Sequence, residues 1–390
     1  MKLVFYSNYL NHHQVQVADE LYHLLGNGFR FVATLSNNGN DLKGGLDYSS
    51  RPYCILAGDS NEAHLEAIEL AKTAEVCVFG ASSQEYAVER AKYNPDGLAF
   101  EMGERWLKHG WLTIGSPVFR RWLWNYYRFY RNANFHKLCC SSFTSGDDAK
   151  LNAYKGRHYK WGYFTSVPEE VEPACANNAI EREKVRFLWC ARFLSLKHPE
   201  LVIELAARLK AEGYEFLIDL YGDEGNPAPH DKIFKRSEME ALIKRLDVGD
   251  VISLKGQRPN AEIIQAMQDN DIYLFTSDHL EGWGAVANEA MANGCVLVAS
   301  DAIGSTGYLV TNRVTGMVFR SCSLDSLYEQ VKYLLDNPQE RERIASNGRQ
   351  LMREVWSPAN AAKNLIQLIE DLNAGRESSI RQGPCSKAWR

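Results

Sequence analysis

The fold class this sequence predicts is α/β, as two doubly wound parallel sheets. Three observations predict it. Short apolar runs alternate with amphipathic helical stretches almost from end to end. Strands that stay apolar between such helices belong to parallel sheets covered on both faces. A polar stretch with two prolines, Val167–Asn178, divides the chain into halves. At 390 residues the chain has room for two to three domains of about 150 residues each.

In the first half, Lys2–Ser7, Arg30–Thr34, Pro52–Ala57, Glu75–Ala81, Lys137–Ser142 and Trp161–Phe164 read as strands. Gln14–Leu25, Glu62–Thr73 and Gly146–Tyr154 repeat apolar residues at helical spacing. In the second half the strands are Val185–Cys190, Phe216–Tyr221, Val251–Leu254, Ile272–Ser277 and Val296–Ser300. Helices fall between them at Pro199–Ala211, Glu238–Leu246, Ala261–Asp269 and Ala285–Ala292. Three helical stretches follow, at Leu324–Leu335, Gln339–Val355 and Ala359–Leu372. The expected division is a first domain over 1–166, a linker over 167–182, a second domain over 183–355, a helix over 356–373 and a frayed tail over 374–390.

Composition excludes several classes. Hydrophobic residues at 45% and charged residues at 24% are those of a globular protein. A net charge of −5 is a poor footprint for nucleic-acid binding. No apolar run is long enough to span a bilayer, and the N-terminus turns polar too early for a signal peptide. Nine cysteines without a CxxC pair read as reduced core residues of a cytoplasmic protein. No G-x-G-x-x-G follows the first strand, which argues against a dehydrogenase.

Ligands of open parallel sheets bind beyond the carboxyl ends of the strands. After Ile272–Ser277 come Glu281, Gly282, Trp283, Gly284, Ala285 and Val286, then a helix that carries Glu289. The glycines let a ligand approach the backbone, and a helix start suits phosphate. Carboxylates at Glu281 and Glu289 suit sugar or ribose hydroxyls; by spacing alone they also fit a loop glutamate and a solvated helix glutamate. Gly304 lies in a second turn at the same edge. Arg192 and Lys197, after the strand Val185–Cys190, fit a diphosphate or an exposed basic loop. Gly256 follows another strand there. His12 and His13 open the first helix, where they fit acid–base work, capping or acceptor binding. Asp269-Asn270-Asp271 resembles a metal–diphosphate grip. It precedes its strand, so it lies at the amino edge and reads as a turn, and no metal site is expected. Arg120–Arg131 interleaves arginines with aromatic rings, as in interfacial helices or in a partly buried helix with snorkelling arginines.

The segment Glu281-Gly282-Trp283-Gly284-Ala285-Val286-Ala287-Asn288-Glu289, continued to Gly294, resembles the E-x7-E signature of retaining glycosyltransferases of family 4. Arg192 and Lys197 match that family's Arg…Lys pair, and Thr315–Phe319 its later T-G strand. Ala99–Arg105 resembles a segment of bacterial polysaccharide glycosyltransferases, which places Glu101 near an acceptor or in a structural role. The resemblance implies a GT-B architecture of two Rossmann-like domains facing a cleft, with the helix 356–373 crossing back to the first domain. It implies a nucleotide-sugar donor, UDP-sugar before GDP-sugar, and no required metal. Arg192 and Lys197 would neutralise the leaving diphosphate. Glu289 would hold the ribose, Glu281 would sit by the donor sugar, and the backbone near Trp283–Val286 would receive phosphate. The acceptor would be a surface glycan or a lipid-linked one. Separately from the resemblance, the arginines and aromatic rings of Arg120–Arg131 lead to the expectation of peripheral contact with the inner face of a membrane. Two departures stand out: Tyr9–Gln14 replaces the family's glycine-rich first loop, and Gly80–Gln84 replaces a histidine facing the donor sugar. Nucleotide-sugar binding without turnover, an epimerase and a phosphorylase are the competing readings.

Overall fold

A computed structural model describes residues 1–36, 49–168, 184–225 and 232–388. The chain forms two compact units: Met1–Ser166 with Val355–Arg390, and Val167–Glu354. Most of the expected linker, 167–182, lies outside the described residues.

Unit 1 holds a seven-stranded sheet in the order β3-β2-β1-β4-β5-β6-β7. Its strands are β1 Leu3–Ser7, β2 Phe29–Ala33, β3 Cys54–Leu56, β4 Val76–Phe79, β5 Ala99–Gly103, β6 Phe135–Cys139 and β7 His158–Lys160. Unit 2 holds a six-stranded sheet in the order β10-β9-β8-β11-β12-β13. These strands are β8 Val185–Cys190, β9 Phe216–Tyr221, β10 Ile252–Gly256, β11 Ile272–Phe275, β12 Val296–Ser300 and β13 Met317–Phe319. Every pairing between these strands is parallel. Strands β1, β4, β11 and β12 are buried at every residue, because helices cover both faces. In each sheet the chain leaves the first strand in one direction and returns on its other side. The order therefore reverses between β1 and β4, and between β8 and β11. Such a reversal leaves a crevice at the carboxyl edge.

Two sequence expectations are corrected, and two further elements appear. The strand read at Trp161–Phe164 lies earlier, at His158–Lys160. Strand β5 and the helix Gln84–Tyr93 were not anticipated. The tail is not frayed over its described length. Cys385 N–H donates to the Lys160 carbonyl (2.7 Å) and Lys160 N–H donates to the Ser386 carbonyl (2.8 Å). Tyr159 and Lys387 form an antiparallel bridge, so the tail covers the open edge of β7, as exposed sheet edges require. Within the same unit, the helix Pro358–Asn373 packs on the helix Val15–Leu25.

Candidate functional site

The carboxyl edge of the unit 2 sheet gathers most of the residues singled out above. Beyond β8 the chain makes a short 3₁₀ turn, Ser195–Lys197, before the helix Pro199–Ala211. Beyond β11 it runs through Thr276–Ala285 into the helix Val286–Ala292. These two loops flank the reversal point and are stitched together. Trp189 Nε1 donates to Thr276 Oγ1 (2.9 Å), and that hydroxyl donates to the Lys197 carbonyl (2.6 Å). Asp278 N–H donates to the Leu196 carbonyl at 2.9 Å.

This stitching brings Lys197 Nζ onto Glu281 Oε2. The two residues are 84 positions apart in sequence, and their side chains keep 18% and 13% exposure. Gly284 has φ +76°, and a Cβ there would lie 2.3 Å from Phe275 Cζ and 3.4 Å from Glu281 Cγ. Only glycine allows this loop to pack so closely on the end of β11. Trp283 is fully buried and donates from Nε1 to Asn288 Oδ1 at 2.7 Å. Its indole anchors the loop in the interior of the unit. Gly304 N–H donates to the Gly282 carbonyl at 3.0 Å, so the turn after β12 joins the same edge. Gly256 ends β10 at φ +71° and accepts from Gly222 N–H at 3.0 Å.

Glu289 faces the same region from the helix. Burial pushes its carboxyl up to about 7. Burial first, and then the Glu289 carboxylate, push the Cys190 thiol at the end of β8 up to about 12, while Lys197 pulls it down. Glu289, Cys190 and Lys197 thus share one electrostatic neighbourhood. A desolvated carboxylate without a countercharge gains from hydroxyl donors rather than from phosphate. Arg192 is exposed, and its stem lies against Gly225, where a Cβ would meet Cδ at 2.9 Å.

Sequence reasoning missed three residues here. His198 adopts a left-handed conformation, φ 48° and ψ 54°, at the start of its helix. Its Nδ1 meets Glu200 at 2.8 Å, and its Nε2 meets Asp278 at 3.3 Å. Bonds from Asp278 and then Glu200 raise the imidazole to about 10, so it is a fixed cation clasping the two loops next to Lys197. Gly222 has φ +129°, and a Cβ there would sit 1.9 Å from the Ala191 carbonyl oxygen. A glycine directly after an apolar strand was its signal; nothing local marked His198 or Asp278.

The Asp269-Asn270-Asp271 string lies at the opposite edge. Asp271 Oδ2 accepts from Arg186 N–H at 2.8 Å, and the Asp271 carbonyl accepts from Val296 N–H at 2.9 Å. It joins the starts of β8, β11 and β12.

In unit 1, His12 and His13 follow β1 at its carboxyl edge. Their rings lie 3.6 Å apart, and His13 stacks on Tyr163 at 5.5 Å and 11°. Tyr163 donates to Glu104 Oε1 at 3.0 Å. Glu101 is not part of this group. Its carboxylate accepts from Trp122 Nε1 (2.8 Å), from Lys137 Nζ (2.9 Å) and from the Tyr154 hydroxyl. That places Glu101 in the structural interior of the unit.

Residues 172–351, slightly under half of the chain, match the family model "Glycosyl transferases group 1". An alpha-D-kanosaminyltransferase of Streptomyces kanamyceticus is 27% identical over 47% of this chain and 45% of its own length. A poly(glycerol-phosphate) alpha-glucosyltransferase of Bacillus subtilis is 24% identical over 53% of this chain and 30% of its own length. The matches thus span less than half the length of these curated relatives. Among solved structures, Anabaena HepE in complex with UDP superimposes with a TM-score of 0.65, at 15% identity, over 96% of this chain and 100% of HepE. Sucrose-phosphate synthase of Thermosynechococcus elongatus gives a TM-score of 0.66 at 16% identity, over 96% of this chain and 100% of its own. The chain therefore has the GT-B architecture of two Rossmann-like parallel-sheet domains, and over residues 172–351 it carries the sequence pattern of the group 1 glycosyl transferases.

Proposed function

We propose that this chain is a retaining, metal-independent glycosyltransferase that moves a sugar from a nucleotide-sugar donor to a glycan or lipid-linked acceptor. The observation that carries the reading is the juxtaposition of Lys197 with Glu281, and of Glu289 with the end of β8, at one sheet edge. Loss of a nucleoside diphosphate builds negative charge. Arg192 and Lys197 supply fixed cations for it, which is the main electrostatic task of such a site. Glu289 accepts from the ribose hydroxyls, and Glu281 holds the donor sugar while keeping Lys197 in place. The backbone at Gly282–Val286, Gly256 and Gly304 approaches the donor. The sugar C1–O bond to phosphate breaks, the acceptor oxygen attacks on the same face, and its proton passes to the departing phosphate oxygen. No protein nucleophile is needed. His12 and His13 face the acceptor side. The UDP and UDP-glucose complexes of HepE favour UDP-sugar as donor.

A thermal-shift panel of UDP, GDP, ADP and CMP in EDTA tests this. At about a hundred times its Kd, the right nucleotide adds about 2.7 kcal/mol of stability. UDP is expected to stabilise the wild type and to lose most of that effect in Glu289→Ala. No shift with any nucleotide overturns the reading. Binding without release of nucleoside diphosphate, whatever the acceptor, replaces it with a binding protein.

A further inference from the structure

The segment between β5 and β6 combines two properties that rarely coincide on a protein surface. From Arg105 to Gly146 the sequence contains no aspartate or glutamate, although the chain as a whole carries a net charge of −5. The same segment also holds most of the exposed large apolar side chains of unit 1. Leu112 is 85% exposed, Val118 62%, Trp124 60%, Trp111 57% and Ile114 49%.

Local structure explains why they stay outside. Gly110–Gly115 forms a 3₁₀ turn with no buried residue. The helix Pro117–Arg128 follows, with Ser116 as its N-cap and Pro117 in its first turn. Phe119, Trp122 and Tyr126, at helical spacing, bury one face against unit 1. The opposite face presents Arg120, Arg121, Trp124 and Arg128, all exposed. The helix is thus partly buried, as one sequence reading held. What the sequence did not reveal is that the apolar exposure is concentrated upstream, in the turn before the arginines.

We propose that this turn and helix face form a docking surface for an anionic lipid bilayer. Leu112, Ile114 and Val118 would enter the acyl boundary, with Trp111 and Trp124 at the headgroup level and the arginines on lipid phosphates. Tryptophan and arginine favour that interface for different reasons. The indole is apolar with a polar N–H, and the guanidinium combines an apolar stem with a fixed positive fork. Charge complementarity selects the occupant: a stretch that carries arginines and no acidic residue matches an anionic surface, whereas two copies of it set face to face repel each other. The helix is too short and too charged to cross the bilayer, so the contact is peripheral; no described helix is long and apolar enough to span a membrane. This inference goes beyond the proposed transfer reaction and does not depend on it.

The test is co-sedimentation of the full chain with vesicles of phosphatidylcholine, alone or mixed with phosphatidylglycerol, at low and high salt. The wild type is expected to pellet with the mixed vesicles at low salt. Replacing Arg120, Arg121 and Arg128 by Gln should weaken binding by about fivefold per arginine and remove most of its salt dependence. The triple change Leu112→Ser, Ile114→Ser and Val118→Ser should weaken binding by about tenfold or more at every salt concentration. All of these side chains are exposed, so the fold should persist, and circular dichroism of each variant checks this. Equal binding to phosphatidylcholine alone overturns the proposal, as does wild-type binding by the serine variant. A wild-type dimer that the serine variant converts to monomer, with no vesicle binding, also overturns it and assigns the patch to a second copy of this chain.

Discussion

Each unit contains a lysine–glutamate pair, and the two pairs do opposite things. Glu101 and Lys137 are direct partners in the register of β5 and β6, 2.9 Å apart, and the lysine side chain is fully buried. Trp122 and Tyr154 complete the hydrogen bonding of the carboxylate. Burial alone would pull the Lys137 ammonium down, but Glu101 and Asp148 hold it above its ordinary value. Glu281 and Lys197 instead come from two loops beyond the end of a sheet, and both remain partly open to solvent. The first pair is locked by regular structure on every side. The second is held by a clasp, His198 on Asp278 and Glu200. The same two side chains therefore serve as internal glue in one place and as an accessible charged site in the other. What separates them is position along the strand: mid-strand against carboxyl edge.

The largest effect should come from breaking the interior pair. Glu101→Ala strands a buried ammonium and is expected to cost about 3–5 kcal/mol of folding stability. Denaturant unfolding at neutral pH measures this, well below the unfolded pKa of lysine, where the contribution of the pair is fully present. The double change Glu101→Leu with Lys137→Met should recover most of the loss. If the single change is neutral, the pair is not the lock described here.

Next comes the edge pair. Lys197→Ala or Arg192→Ala should lower sugar transfer by about 10²–10³, the effect of removing one preorganised charge from a transition state. Stability should change by less than about 1 kcal/mol for the exposed Arg192. For Lys197, whose partner carboxylate keeps only 13% exposure, the loss should stay below that of the interior pair, about 3–5 kcal/mol. Turnover followed by nucleoside diphosphate release, together with an unfolding curve, separates the two consequences. A large stability loss with unchanged turnover would reverse the comparison.

The smallest effect is a pH signature at Glu289. Its folded carboxyl titrates near 7, against 4.5 when exposed. Between those values the folded state holds a proton that the unfolded state has lost, so stability falls as pH rises. Glu289→Gln should therefore stabilise the ligand-free protein by up to about 3 kcal/mol at pH above about 7. The gain should shrink to nothing as pH falls to about 4.5. Melting curves across that window decide it; a gain independent of pH would mean that the carboxylate is hydrated in the folded chain.

The two units also differ in how much of them is readable from the sequence. In unit 2 the expected strands Val185–Cys190, Phe216–Tyr221 and Val296–Ser300 have the observed bounds. These strands are unbroken apolar runs or close to it, so period and burial agree. In unit 1, β5 reads Ala-Phe-Glu-Met-Gly, and the glutamate interrupts its pattern. Only the facing lysine on β6 makes that residue tolerable, and pairing across strands is invisible along the chain. The helix Gln84–Tyr93 hides for a similar reason. Arg90 is completely buried in it, bonded to the carbonyls of Ala71, Ala74, Glu75 and Leu98, yet an arginine counts as polar in any periodicity. At the site, Glu281, Glu289, Arg192 and Lys197 were readable because each follows a clear strand. The contact between Lys197 and Glu281, and the left-handed His198 behind it, depend on two loops meeting in space. The tail was misread because its partner, β7, lies more than 200 positions earlier; the Lys387–Gly156 bond spans 231 residues.

That distant pairing bears on the order in which the molecule is completed. Unit 2 is one continuous stretch, Val167–Glu354, whereas unit 1 needs both Met1–Ser166 and Val355–Arg390. On the ribosome the first 166 residues emerge early but lack the helix Pro358–Asn373 and the strip that covers β7. At about 5–20 residues per second they wait roughly 10–40 s for those parts. Meanwhile the half synthesised second already has its whole sheet and can close. Birth order and finishing order are thus inverted: the unit begun first is the unit completed last.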